Sequence, residues 1–253
     1  IIEMSPDRLS IFNYAHLPER FKPQRRIQEQ DLPSPEEKLA ILGNCITTLT
    51  NAGYHYVGMD HFAKPDDELS IAQANHKLHR NFQGYTTHGD CDLIGFGVSS
   101  ISQITDHYLQ NSPDIALYES AIKQKDLPVV KLIETNPDDL IRRHVIMELL
   151  CHDQIIFSEL NKMFDLNSTL YFSDELLELE PMIEDKLLIL SDEGIFITQK
   201  GRLLVRNACM VFDTYLNSHI ISSYSPASEE DPDSLSEQPN KQGNIQPRFS
   251  NAI

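Results

Sequence analysis

The residues with most chemistry on offer lie in HRNFQGYTTHGDCDLIGFGVSSI, His79 to Ile101. His79, His88 and Cys91 are types that ligate borderline metals, but their spacing matches no known metal motif. Gly95-Phe96-Gly97 lacks the third glycine and the Lys-Ser/Thr of a phosphate loop, so close backbone packing accounts for it better. A second group, His55, Asp60 and His61, lies in YHYVGMDHFA. Read as one strand, this run points Asp60 and His61 to opposite faces, while His55 shares the face of His61. Hydrogen-bonded strand-end residues explain the group more simply than a metal. No serine or cysteine sits in a GxSxG context, which argues against hydrolase chemistry.

The elements that must position these residues are partly legible. RLSIFNY, residues 8–14, alternates as a strand does. Ser34 as cap, Pro35 at the first helical position and Glu37 three residues after the cap open a helix whose stripe is Leu39, Leu42, Cys45, Ile46 and Leu49, with Gly53 as its stop. YHYVGMDHFA follows as a second strand. Strand, capped helix and strand predict a βαβ unit with parallel strands, and so ligands at strand C-terminal ends such as NYAHLP and MDHFA. PDDELSIAQA and PDIALYESAIKQK read as short helices, and DLIGFGVSSISQI as a strand or turn. Asn136 caps a helix through Cys151, and Pro181 breaks the helix of SDELLELEPMIEDKLL. A hairpin turning on Glu193-Gly194 and a final helix complete a winged-helix-like pattern. The expected organisation is residues 1–130, then a helical domain over 131–221, then a tail over 222–253 that is polar from Ser222 to Pro247, expected to be disordered, and apolar again at RFSNAI.

Composition narrows the classes. The chain has 253 residues, 40% hydrophobic and 23% charged, with a net charge of −17. That charge argues against a general nucleic-acid binder. Residues 108–221 carry nineteen acids against ten bases, so Lys200, Arg202 and Arg206 beside the hairpin are read as structural. No apolar run approaches the roughly 18 residues of a membrane span. Cys45, Cys91, Cys151 and Cys209 form no CxxC pair, which predicts separate reduced thiols and a cytoplasmic location. The N-terminus lacks signal-peptide features, and its lack of Met predicts a natural start upstream.

NFQGYTT with DLIGFGVSSIS, together with DRLSIFNYAHLP, GMDHFAKPDDELSIAQ, LIRRHVIMELLC and TQKGRLLVRNACMVFDTYL, resembles the oxygen-independent coproporphyrinogen III oxidase family. The likeness runs from Pro6 to about Leu216 and touches again at RFSNAI. It implies an α/β fold: the C-terminal part of an incomplete TIM-like radical S-adenosylmethionine (SAM) barrel, followed by a mostly α-helical domain. It also implies haem-biosynthesis chemistry, in which a [4Fe-4S] cluster cleaves SAM, a radical attacks propionates of a tetrapyrrole, and two decarboxylations give protoporphyrinogen IX. Two SAM molecules and a reductant for the cluster are implied, with no nucleic-acid or membrane partner. By position, Ala15 and Ile101 match SAM-contacting residues, and Phe82 and Gln83 match neighbours of the second SAM. No catalytic residue and no metal ligand is assigned.

The family's CxxxCxxC cluster motif and glycine-rich SAM motif are absent from the 253 residues. The likeness therefore covers about the second half of the family sequence, and the chain alone is expected to be inactive. Arg25, Arg26, Lys64 and Arg80 are candidates for pairing with substrate carboxylates. The other reading from the same resemblance is a non-catalytic tetrapyrrole or haem-binding module, with His16, His61 or His79 as axial ligand.

Overall fold

The computed structural model describes residues 1–216, so the expected tail over 222–253 lies outside the described residues. The described residues divide into two units: 1–56 with 60–65, and 57–59 with 66–216.

The first unit holds β1 (Arg8–Ser10), α1 (Pro35–Asn51), β2 (His55–Gly58, its last two residues counted with the second unit) and β3 (His61–Ala63). The capping box of α1 forms as the sequence predicts: Ser34 Oγ accepts from the Glu37 amide, and the Glu37 carboxylate accepts from the Ser34 amide at 2.8 Å. Leu49 and Ile46 of the predicted stripe pack with Tyr54, Phe62, Leu9 and Ile11 into a small core. The sheet order is β1-β3-β2, and β1 pairs antiparallel with β3, Leu9 opposite Phe62.

Two strand expectations are corrected here. β1 and β2 are not adjacent parallel strands, because β3 lies between them. And YHYVGMDHFA is not one strand: it reverses at Gly58 (φ 152°) and Met59 (φ 54°), so His55 and His61 stand on different strands and the shared-face argument fails. The turn rests on Gly58 and Met59, which the single-strand reading places inside the run.

The second unit continues with α2 (Glu68–Ala74), capped by Asp67, and the hairpin β4 (His79–Asn81) and β5 (Gly84–Thr86). Then come β6 (Ile101–Ile104), β7 (His107–Asn111), α3 (Ile115–Lys123) and β8 (Val129–Glu134); β6, β7 and β8 form an antiparallel meander with a bulge at Gln110/Asn111. α4 (Pro137–His152) opens on the predicted Asn136 cap, in a capping box with Asp139. β9 (Gln154–Ile156), α5 (Phe157–Phe164), α6 (Ser168–Tyr171), α7 (Ser173–Glu178) and α8 (Glu180–Glu184) follow, with Pro181 at the start of α8 where a break was expected. The hairpin β10 (Leu188–Leu190) and β11 (Gly194–Ile197) joins β9 in the order β10-β11-β9, before α9 (Val205–Val211).

The main core lies in this unit. Val145 and Leu149 of α4, Ala208 of α9, Leu179 and Phe212 are 0–1% exposed and pack with Ile155, Leu160, Leu188 and Ile195. Each such aliphatic side chain contributes about 1.5–3 kcal/mol of burial. Phe172 and Phe212 meet edge to face at 5.3 Å. Among the described residues no helix is long and apolar enough to cross a membrane.

Candidate functional site

Phe82 and Gln83 form the tip of the β4–β5 hairpin. Asn81 faces Gly84 across the turn, and the Asn81 side-chain oxygen accepts from the Gln83 amide at 2.8 Å, which fixes the reversal. Both tip side chains are exposed, Phe82 by 55%. Its ring meets Tyr108 of β7 edge to face, centroids 5.4 Å apart at 89°. Tyr108 lies opposite Gln103, and Ile101 opposite Gln110, so Ile101 and Tyr108 share one face of the meander. The structure thus brings Phe82, Gln83 and Ile101 to one region of the second unit. Ala15 belongs to the first unit, where Gln24 clamps it: the Gln24 amide donates to the Ala15 carbonyl at 3.0 Å and accepts from the Leu17 amide.

The GFG loop is stitched to the meander edge. The Gly95 amide donates to Ser102 Oγ at 3.0 Å, and a side chain at Gly95 would crowd the Ile101 carbonyl. Asn111 Nδ2 donates to the Gly97 carbonyl at 3.0 Å and to Ser100 Oγ at 2.9 Å. Packing accounts for Gly95, as expected, whereas a Cβ at Gly97 would meet nothing within 4 Å and its φ of 97° is what calls for glycine; Ile94 and Phe96 stay outward, Phe96 88% exposed.

The candidate cations differ in their surroundings. Lys64 Nζ is 3.0 Å from Asp7 and donates to the Ser5 carbonyl, and Arg25 donates to the Pro18 carbonyl. Arg80 lies over the Tyr85 ring at 4.7 Å, with one terminal nitrogen buried and without a hydrogen-bond partner among the described residues. Arg202, set aside as structural, pairs with Asp153 at 2.8 Å and donates to the Val57 carbonyl.

The candidate axial histidines are scattered. His16 shares a hydrogen bond with Tyr14, His61 sits 2.9 Å from Asp60, and the His79 ring lies over Gly89, where a Cβ would collide with it. Among the described residues no group of three His, Cys, Asp or Glu side chains could hold a metal ion. Cys91 is exposed and Cys45 half-buried, whereas burial pushes the Cys151 and Cys209 thiols up to about 12. These cysteines do not fit an iron–sulfur cluster. A thiol reagent at pH 8 should label Cys91 in the native chain and spare Cys151 and Cys209, with all four labelled in denaturant; peptide mass mapping reads the result.

A stripe of titratable groups, His144, Glu148 and His152, runs along α4. His152, whose Nδ1 is buried with no hydrogen-bond partner among the described residues, is held down to about 4 from 6.5, by burial first and then by His76, stacked 5.0 Å away, and His79. Burial, aided by Glu159, pushes Glu148 up to about 7 from 4.5. The signs oppose. Between pH 6.5 and 4 the unfolded chain binds the His152 proton and the folded chain does not, so acid weakens the fold. From pH 4.5 to 7 the folded chain keeps the Glu148 proton that the unfolded chain has lost, so rising pH weakens it. Glu148→Gln should therefore raise the urea midpoint relative to wild type at pH 8 and leave it nearly unchanged at pH 4.5. His152→Gln should flatten the acid limb below pH 6.5.

Comparison with known proteins defines first a class. Residues 135–204 match the HemN C-terminal domain. The fold superposes, with a TM-score of 0.81 and 50% identity, on the structure described as "Coproporphyrinogen III oxidase (HemN) from Escherichia coli is a Radical SAM enzyme", over 85% of this chain and 49% of that one. Several curated relatives bear the name oxygen-independent coproporphyrinogen III oxidase. That of Pseudomonas aeruginosa is 52% identical over 218 residues, 86% of this chain and 47% of its own. That of Escherichia coli is 50% identical over 216 residues, 85% and 47%. That of Thermostichus vulcanus is 42% identical over 227 residues, 89% and 70%. The chain belongs to the oxygen-independent coproporphyrinogen III oxidase family, and it spans about half the length of the first two of these relatives.

Proposed function

We propose that the chain is the C-terminal portion of a radical SAM oxidoreductase that oxidatively decarboxylates two propionates of coproporphyrinogen III to give protoporphyrinogen IX. The observation that supports this most is the hairpin tip NFQG, whose Phe82 packs on Tyr108, a residue on the same sheet face as Ile101. An exposed aromatic ring, an exposed amide and aliphatic sheet surface suit an adenosyl group, which packs on apolar and backbone surface. In this reading Ala15 and Ile101 are SAM-contacting positions and Phe82 and Gln83 border the second SAM, and SAM supplies the hydrogen-abstracting radical chemistry when bound. The chain's own residues exclude water and orient the nucleoside. The [4Fe-4S] cluster belongs to residues outside this chain, since the four cysteines here do not fit it. Residues 1–130 are read as the last strands and helices of an incomplete barrel, residues 131–221 as the helical, winged-helix-like domain, and the protein as cytoplasmic.

The test pairs intact mass and peptide mapping of the native protein with anaerobic iron–sulfur reconstitution and coproporphyrinogen turnover. A native form that extends to a three-cysteine motif, takes up the cluster and turns over substrate is the expected result, with the 253-residue chain taking up none. A native protein that begins at Ile1 and binds no cluster would overturn the enzyme reading.

A further inference from the structure

Phe82 is exposed at the tip and yet has a fixed neighbour. Tyr108 sits on β7, the central strand of the meander, opposite Gln103 of β6 and Ile133 of β8. It is thus bordered by a strand on each side. The Tyr108 ring presents its surface to Phe82 at 5.4 Å and 89°. Its hydroxyl accepts a hydrogen bond from Arg143 Nη1 of α4 at 3.1 Å. A two-residue tip is thereby tied to a sheet and to a helix through one chain of contacts: Arg143, Tyr108, Phe82.

Arg143 differs from its neighbour in what it does. Arg142 is spent on two carboxylates, Asp138 and Glu175, that hold helices together. Arg143 has no carboxylate partner among the described residues, and its hydrogen bond goes to the phenol oxygen. A phenol oxygen that accepts from a guanidinium is held by a charge-assisted bond, so the Tyr108 ring cannot swing away about its Cα–Cβ bond without losing it. The edge-to-face contact then restrains Phe82, which stays 55% exposed.

We propose that Tyr108 and Arg143 are positioning residues that hold Phe82, and with it Gln83, in place for a flat nucleoside ring. This rests on the reading of the tip as a SAM-binding surface and adds to it the device that sets the tip before ligand arrives. A side chain ordered in advance does not lose its freedom on binding, an effect of roughly threefold to tenfold in affinity. Tyr108 touches neither reacting atoms nor, by this geometry, the ligand; it acts through Phe82.

The experiment has two readouts. The first is amide hydrogen exchange at Gln83 and Gly84 in the 253-residue chain. The second is SAM binding by equilibrium dialysis, with KM and kcat, in the native-length protein. Tyr108→Phe and Arg143→Met are expected to speed exchange at the tip severalfold while α4 stays protected, and to weaken SAM binding threefold to tenfold. KM for SAM should rise by a larger factor than kcat falls, and Arg143→Lys should restore part of both. Tyr108→Ala, removing ring and hydroxyl together, should exceed either. Tip exchange and SAM affinity left unchanged in a folded Tyr108→Ala protein would overturn the positioning role. Wild-type protein that binds no SAM, or whose SAM binding survives Phe82→Ala, would overturn the cofactor reading of the tip and with it the ligand assigned here, whatever the exchange rates show.

Discussion

Gly201→Ala is expected to cost about 3 kcal/mol or more, the upper end of overpacking effects, and to lower the urea midpoint accordingly. A Cβ at Gly201 would overlap the Leu187 carbonyl oxygen, and it would also press on the Ile197 side chain. Backbone is what it meets first, so rotamer changes cannot relieve the clash. Leu187 and Ile197 cannot retreat cheaply: the Leu187 carbonyl accepts from the Thr198 amide at 3.0 Å, and Ile197 pairs with Leu188 in the β10–β11 hairpin. The Gly201 amide is itself bound to Thr198 Oγ1 at 3.0 Å, so the turn into the last helix is fixed on both sides. Chemical denaturation followed by circular dichroism checks the prediction, and Gly43→Ala serves as the control. Nothing stands within 4 Å of a Cβ at Gly43 in the middle of α1, where alanine should stabilise by up to about 1 kcal/mol.

The second large effect is expected at Arg142. Its Nε is 2.8 Å from Asp138 and its Nη1 2.6 Å from Glu175, with the guanidinium 5.4 Å from the Phe172 ring centroid. Arg142 and Glu175 side chains are 14% and 15% exposed, so their pairing is little screened by water. Arg142→Met leaves the Glu175 charge poorly solvated and should cost about 3 kcal/mol. Arg142→Lys should rescue little, because a single ammonium cannot satisfy two carboxylates held in a planar fork's geometry. Adding Glu175→Gln to Arg142→Met should recover much of the loss; a purely additive double mutant would show that the ion pair is not the cause. Arg142→Met should leave the exchange rate at the Gln83 amide alone, in contrast to the substitution one residue on.

What the sequence made legible was what local chemistry encodes. The caps at Ser34 and Asn136, the break at Pro181 and the turn near Glu193-Gly194 are each specified by residues within a few positions, and each is where it was expected. Of the meander only β6 was legible, inside DLIGFGVSSISQI. HYLQN and VVKLIE carry no clean alternation, and their pairing is a long-range choice made by the packed sheet. The reversal at Gly58-Met59 was missed for a different reason: it is a tight turn with a non-glycine residue, Met59, at positive φ, and that residue type does not mark a turn. As for the site, Phe82, Gln83 and Ile101 came from family likeness and not from physics, and Gln24, which holds Ala15, carried no signal beyond a basic stretch. Tyr108 and Arg143 had none at all, since a ring contact and one hydrogen bond between distant residues leave no pattern along the chain.

The division of the chain has a consequence for its modularity. Residues 57–59 count with the second unit although 1–56 and 60–65 form the first. The Val57 carbonyl accepts from Gln73 and Arg202, and Gly58 leaves no room for a side chain beneath the Tyr85 hydroxyl, so the assignment has a physical basis. The backbone therefore changes unit three times within ten residues, at 56/57, 59/60 and 65/66. A protease cut at 56/57 does not release an intact first unit: a fragment ending at Tyr56 has lost β3, the middle strand of its sheet. A cut at 65/66 keeps that sheet whole but carries residues 57–59 away from the second unit, and with them the Val57 carbonyl that Gln73 and Arg202 bind. Either boundary therefore leaves one unit short of residues that count with it.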